Sequence, residues 1–221
     1  MRRTTKILTL ITIAVSVFCT SVSQASFFSL PMVLKYQIER IGVNTKISFG
    51  TLMLPPIGHT RFCLQYPGDC AAKPIDFRRR QMALTPERWL ELNSINRQVN
   101  RDITPEITAG NGTTEKWVIS PPAGDCKDYA ITKRHELLAL GWPSRALLLA
   151  EVVVPDGEHH LILVVRTKDV DLVLDNLNTT VRPAAMTYRQ YQWVRIETPQ
   201  NPKFWASVRQ PESMQTAMLS D

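Results

Sequence analysis

Cys126, His159, His160 and Asp175 stand in the chain order of a thiol nucleophile, its base and the group that orients the base. Cys126 lies in Gly124-Asp125-Cys126-Lys127-Asp128-Tyr129-Ala130, at the first turn of a segment patterned as an amphipathic helix. A thiol attacks a carbonyl as its thiolate, and an unperturbed thiol titrates near about 8.5. A helix N-terminus offers partial positive charge and free backbone N–H groups, which favour a thiolate and can also hold the oxyanion formed by its attack. Asp125, Lys127 and Asp128 surround Cys126 with charge, which argues against a cysteine placed there only to fill a core.

Some thirty residues on, His159 and His160 open an apolar run. Neighbouring strand residues point to opposite faces, so only one of the two rings faces Cys126. His160 is in phase with Ile162 and Val164, His159 with Leu161 and Leu163; both sets are apolar, and alternation does not choose. Asp175 follows Leu172-Val173-Leu174 in what reads as a central strand, where a carboxylate is costly unless paired. A histidine N–H would pair it and fix the ring tautomer. The competing reading is a strand-end aspartate capping a turn with Asn176 and Asn178. His135 lies nine residues along the helix of Cys126 and cannot reach the thiol, and His59 falls in a loop without other chemistry.

These residues need one helix and two adjacent strands to meet. Asp125 is a good N-cap for a helix from about Cys126 to Leu140, stopped by Gly141 and Pro143. Tyr129, Ala130, Lys133, Leu137 and Leu140 form its mixed stripe. An earlier helix begins at Thr85-Pro86, carries Leu90, Ile95 and Val99, and ends near Asp102 to Pro105. Apolar runs at 145–154, 160–166 and 171–176, separated by short turns, predict antiparallel strands, and 191–196 predicts another. Residues 36–47 fit either strand or helix, and the tail after Gln210 is polar. The fold class is α+β, one domain over 26–221.

Residues 1–25 stand apart. Arg2, Arg3 and Lys6 precede an apolar run from Ile7 to Phe18, and Ser23-Gln24-Ala25 fits a small-x-small cleavage site. This is the pattern of a secretory signal peptide cleaved near Ala25, too short for a stable membrane span. It predicts a periplasmic or secreted protein. Removing its three basic residues takes the formal charge from +6 to +3, which gives no reason to expect nucleic acid binding. Arg78-Arg79-Arg80 reads as a solvated run. An oxidising compartment makes Cys63 and Cys70, flanking a turn-rich loop, a local disulfide. Cys126 is then the odd, free thiol.

The cysteine block, His160-Leu161-Ile162-Leu163 and Leu172-Val173-Leu174-Asp175-Asn176 together resemble the signature blocks of the bacterial transglutaminase-like cysteine proteinases, over roughly residues 80–200. The resemblance implies a papain-like or transglutaminase-like core, with a nucleophile helix packed on an antiparallel sheet. It implies Cys126 as nucleophile, His160 rather than His159 as base, and Asp175 as orienting acid. Trp117 matches a tryptophan such proteins carry upstream of the cysteine.

Family members that cut surface adhesins have glutamate where this chain has Lys127, and use acidic residues there to hold calcium. Asp125 and Asp128 are the remaining calcium candidates, and an ammonium between them weakens a hard-cation site. The reading is therefore a cysteine peptidase acting on a protein or peptide of the cell envelope, with no required cofactor and an unknown regulatory partner. Two rivals are a transglutaminase-like acyl transferase, where an amine replaces water, and a non-catalytic periplasmic binding module. Intact Cys126, His160 and Asp175 argue against the second.

Overall fold

The computed structural model describes residues 46–72, 82–106 and 115–209. The expected signal peptide, the arginine run, the 36–47 segment up to residue 45 and the polar tail lie outside them. Among the described residues no helix is long and apolar enough to cross a membrane.

The chain enters as β1 (Ser48–Met53), followed by helix α1 (Ile57–Gln65) and helix α2 (Pro86–Asp102). Two short strands, β2 (Thr104–Pro105) and β3 (Ala123–Gly124), pair in parallel and lead into helix α3 (Cys126–Ala139). Then come β4 (Leu147–Val153), β5 (His159–Arg166), β6 (Asp171–Leu174), β7 (Arg182–Pro183), a single turn α4 (Ala184–Thr187), β8 (Gln192–Thr198) and β9 (Asn201–Arg209). Seven strands form one antiparallel sheet in the order β1-β9-β8-β4-β5-β6-β7. Helices beside an antiparallel sheet make the α+β class.

The expected local rules operate. Thr85 caps α2 by accepting the Arg88 N–H at 3.3 Å, with Pro86 at the first helical position. Gly141, at φ 84°, ends the run after α3 in the left-handed region that glycine tolerates. The apolar face of α2 is Leu92, Ile95 and Val99, whereas Leu90, expected in that stripe, is 42 % exposed. Leu140 is likewise exposed, because it sits at the cap after α3 has left the core.

Helix α3 is covered on nearly every side: Tyr129 to Arg134 and Leu137 are all buried. It lies between α2 and the sheet, packed on β5. Leu147, Leu149, Leu163, Leu172 and Leu174 supply the sheet's side of that core. Each such side chain contributes about 1.5–3 kcal/mol by leaving water. The opposite sheet face, with Leu148, Ile162, Val164 and Val173, packs on Tyr188, Tyr191 and Trp193. Two buried faces explain why β4 and β5 read as unbroken apolar runs.

A buried polar bolt fixes α3 to the sheet. Glu197 of β8 accepts Arg134 Nη1 at 3.1 Å, the His59 ring at 2.8 Å and the Leu149 N–H at 2.9 Å. His59 therefore sits on a helix, α1, as a core residue and not in a loop. The Cys63–Cys70 disulfide closes the end of α1, and Cys126 is free.

Candidate active site

Cys126 occupies the first helical position of α3, and the backbone around it is tied down by its own motif. Asp125 accepts the Lys127 N–H at 3.1 Å, and Asp128 accepts the Asp125 N–H at 3.2 Å. The second Asp128 oxygen accepts the Val118 N–H at 2.8 Å, which pins the segment before the helix. Gly124 is required by this packing, since a Cβ there would lie 2.3 Å from Asp128 Oδ2. The Gly-Asp-Cys-Lys-Asp block thus reads physically as a close approach, a cap, a thiol and a fastener.

His160, at the start of β5, is 6 % exposed and lines the same cleft as Cys126. Its Nε2 lies 2.8 Å from Asp175 Oδ1, which leaves Nδ1 for the thiol. Burial alone would lower the His160 pKa, but hydrogen bonds to Asp175 and Cys126 and their charge outweigh it and raise it to about 9. Burial pushes Asp175 up, yet bonds from His160, Tyr191 and the Leu177 N–H carry it below the usual carboxylate value.

Asp175 sits one residue beyond β6, which is second from the sheet edge and not central as its apolar neighbours suggested. Both readings of this residue hold together. It pairs the histidine, and it caps a turn by accepting the Leu177 N–H at 3.0 Å. Helix α2 steadies the same turn: Asn100 Nδ2 donates to the Asp175 carbonyl at 2.9 Å, and Asn96 Nδ2 to the Asn178 and Thr179 carbonyls at 3.1 Å each.

His159 goes elsewhere. Its side chain is 67 % exposed, and Nδ1 meets Glu151 Oε1 at 2.5 Å. Arg195 holds the other Glu151 oxygen at 2.5 Å and donates to the Leu54 carbonyl at 2.7 Å. His135 pairs with Asp69 at 3.0 Å, away from the thiol as its position on the helix requires.

Cys126 and His160 open onto a cleft of about 520 Å³. Leu54, Ile57, Gly58 and Trp117 give the cleft apolar lining, and Glu115, Glu151, His159 and Arg195 give it polar and charged lining. Trp117 packs so tightly on α1 that a Cβ at Gly58 would lie 2.4 Å from its Nε1. Apolar lining, a thiol and charged side chains in one cleft suit a polypeptide whose carbonyl must be presented to Sγ.

Tyr191, Glu115, Glu151 and Arg195 were not singled out by the sequence. Tyr191 donates to Asp175, and its one available signal was an aromatic at a strand entry. Glu115 precedes Cys126 by eleven residues in irregular chain, where spacing carries no phase.

The calcium candidates are engaged otherwise. Both Asp128 oxygens accept backbone N–H groups, and Asp125 Oδ2 lies 2.6 Å from Lys127 Nζ. Among the described residues, the one group with metal-ligand geometry is His59, Cys63 and Cys70. Its two sulfurs are consumed by the disulfide.

The model of the family described as bacterial transglutaminase-like cysteine proteinase BTLCP matches residues 49–213. Among solved structures, calcium-bound LapG of Legionella pneumophila is similar at 18 % identity, over 62 % of this chain and 82 % of that one, with a TM-score of 0.46. A further LapG structure from that organism is 22 % identical over 59 % and 74 % of the two chains, TM-score 0.44. The EGTA-treated form is 21 % identical over 57 % and 73 %, TM-score 0.43. Among curated proteins none matches.

Proposed function

The chain belongs to the bacterial transglutaminase-like cysteine proteinases, and from that premise we propose that Cys126, His160 and Asp175 are the residues with which it cuts a peptide bond. The observation that carries this assignment is the pairing of His160 with Asp175 at 2.8 Å in the cleft that Cys126 also lines.

His160 Nδ1 takes the proton of the Cys126 thiol as the attack begins. Sγ attacks the scissile carbonyl carbon, and the Cys126 backbone N–H at the helix start faces the developing oxyanion. His160 Nδ1 gives its proton to the leaving amine, the C–N bond breaks and a thioester remains. Water then attacks the thioester while Nδ1 takes its proton; the acid leaves and the thiolate returns. Asp175 keeps Nε2 protonated throughout and holds the ring in plane. Tyr191 and the Leu177 N–H keep Asp175 ionised in its buried setting.

The same thioester can be taken by an amine. Hydrolysis of a fluorogenic peptide library, run with and without a labelled primary amine, separates peptidase from acyl transferase. Free acid is the expected product; a labelled amide as the main product overturns the peptidase reading.

Residues 1–25 support export to the periplasm with cleavage near Ala25, so that a protein of the cell envelope is the substrate. N-terminal sequencing of protein recovered from the periplasmic fraction is expected to begin at Ser26. Recovery of the uncleaved chain from the cytoplasm would contradict it.

A further inference from the structure

Beside Cys126 the structure gathers two carboxylates around one ammonium. Lys127 Nζ lies 2.6 Å from Asp125 Oδ2 and 2.5 Å from Glu115 Oε1. All three side chains are less than one-fifth exposed. Their charges therefore interact in a weakened dielectric, and removing the ammonium would leave two carboxylates uncompensated. Glu115 and Asp125 belong to segments ten residues apart, and Lys127 draws them together.

A divalent ion does not fit this arrangement. Calcium asks for six to eight oxygens at about 2.3–2.6 Å. Here Asp125 Oδ1 accepts a backbone N–H, both Asp128 oxygens accept backbone N–H groups, and Asp125 Oδ2 and Glu115 Oε1 already face Nζ. An entering ion would have to displace an ammonium covalently tethered at the site. Burial works to discharge Lys127, but bonds to Asp125 and Glu115 and the charge of Cys126 raise its pKa, so it stays an ammonium.

We propose that the Lys127 ammonium is the resident cation of the acidic site beside the nucleophile, clamping the 115–118 segment to the start of α3 where a metal ion would otherwise be needed. The segment it clamps carries Trp117 and the Val118 N–H that Asp128 holds, so the cleft wall and the helix start are fixed by one contact set. Lys127 is thus a positioning residue. The peptidase works without calcium, a consequence that rests on the triad reading above, whereas the ion-binding behaviour does not.

The test is calorimetric titration of calcium chloride into the purified wild type, Lys127→Glu and Lys127→Arg, with melting temperatures in calcium and in chelator. The wild type is expected to show no binding at roughly 1 mM calcium and the same melting temperature in both media. Lys127→Glu is expected to bind calcium at least about tenfold more tightly and to melt higher in calcium, by mass action on the folded state. Lys127→Arg keeps a cation at the site and is expected to behave as the wild type. Tight calcium binding by the wild type, or a wild-type melting temperature that falls in chelator, overturns the proposal whether or not Lys127→Glu folds. A wild type that shows these ion responses but no peptidase activity would instead count against the triad assignment.

Discussion

Tyr191 donates its hydroxyl to Asp175 Oδ2 at 2.6 Å, on the carboxylate oxygen that His160 does not use. Burial and the nearby Asp175 charge raise the Tyr191 pKa, so it remains a donor across the working pH range. Tyr191→Phe removes one of the bonds that keep Asp175 below the usual carboxylate value, and its pKa rises. The acid limb of the pH profile of kcat/KM is expected to move to higher pH, with a loss of about three- to tenfold at neutral pH. A profile superimposable on the wild type would show that the hydroxyl does not tune Asp175.

Lys133 lies two turns beyond Cys126 on α3, almost wholly buried, with Nζ 5.9 Å from the Tyr129 ring centroid. Burial lowers its pKa to about 7, against the opposing pull of Asp175. Between about 7 and 10.5 the unfolded chain holds this proton and the folded chain does not, so this group's contribution to stability rises with pH across that window. Below pH 7 the full cost of a buried ammonium is felt. Lys133→Met is therefore expected to stabilise the protein by about 1–3 kcal/mol at pH 6, an advantage that shrinks as pH approaches 10. Urea unfolding of both proteins at pH 6 and pH 9 measures it; an advantage that grows with pH would reverse the sign of the account.

The disulfide holds the far end of a helix whose near end is a cleft wall. Cys63 and Cys70 close a loop with a sequence separation of 7, and a loop of that length contributes about 2.5 kcal/mol by restricting the unfolded chain. Cys63→Ser with Cys70→Ser is expected to lower stability by that order. Because Ile57 and Gly58 of α1 line the cleft, KM is expected to rise more than kcat falls. Mass mapping of the non-reduced wild type is expected to find Cys126 alone alkylated; a bond to Cys126 in active protein would contradict the pairing.

Much of this arrangement was legible in the sequence, and the gaps have physical causes. Helices α2 and α3 announce themselves because Thr85 with Pro86, and Asp125 with Asp128, are local capping chemistry that needs no tertiary context. Helix α1 does not: it starts after Pro55-Pro56, has no side-chain cap and carries Gly58 in its first turn. Strand β9 hides because Phe204 and Trp205 are adjacent, so that one is exposed and the other fully buried without an apolar alternation to read. The choice between His159 and His160 was invisible to alternation because β5 is buried on both faces. Glu151, which holds His159, sits on the neighbouring strand in an apolar run, and the pairing of those strands decides the matter. Asp128 was read as a metal candidate because the family resemblance implies that acidic residues around the nucleophile hold calcium; its role as a backbone acceptor depends on where Val118 lies.

The central claim is that Cys126, His160 and Asp175 work as one device while His159 only lines the cleft. Its most direct test is kcat/KM for one peptide substrate with wild type, Cys126→Ala, His160→Ala and His159→Ala, each checked for an unchanged fold by near-ultraviolet circular dichroism. Cys126→Ala and His160→Ala are expected to lose about a thousandfold or more, and His159→Ala less than about tenfold. Equal losses from the two histidine variants, or turnover that survives Cys126→Ala, would contradict the account.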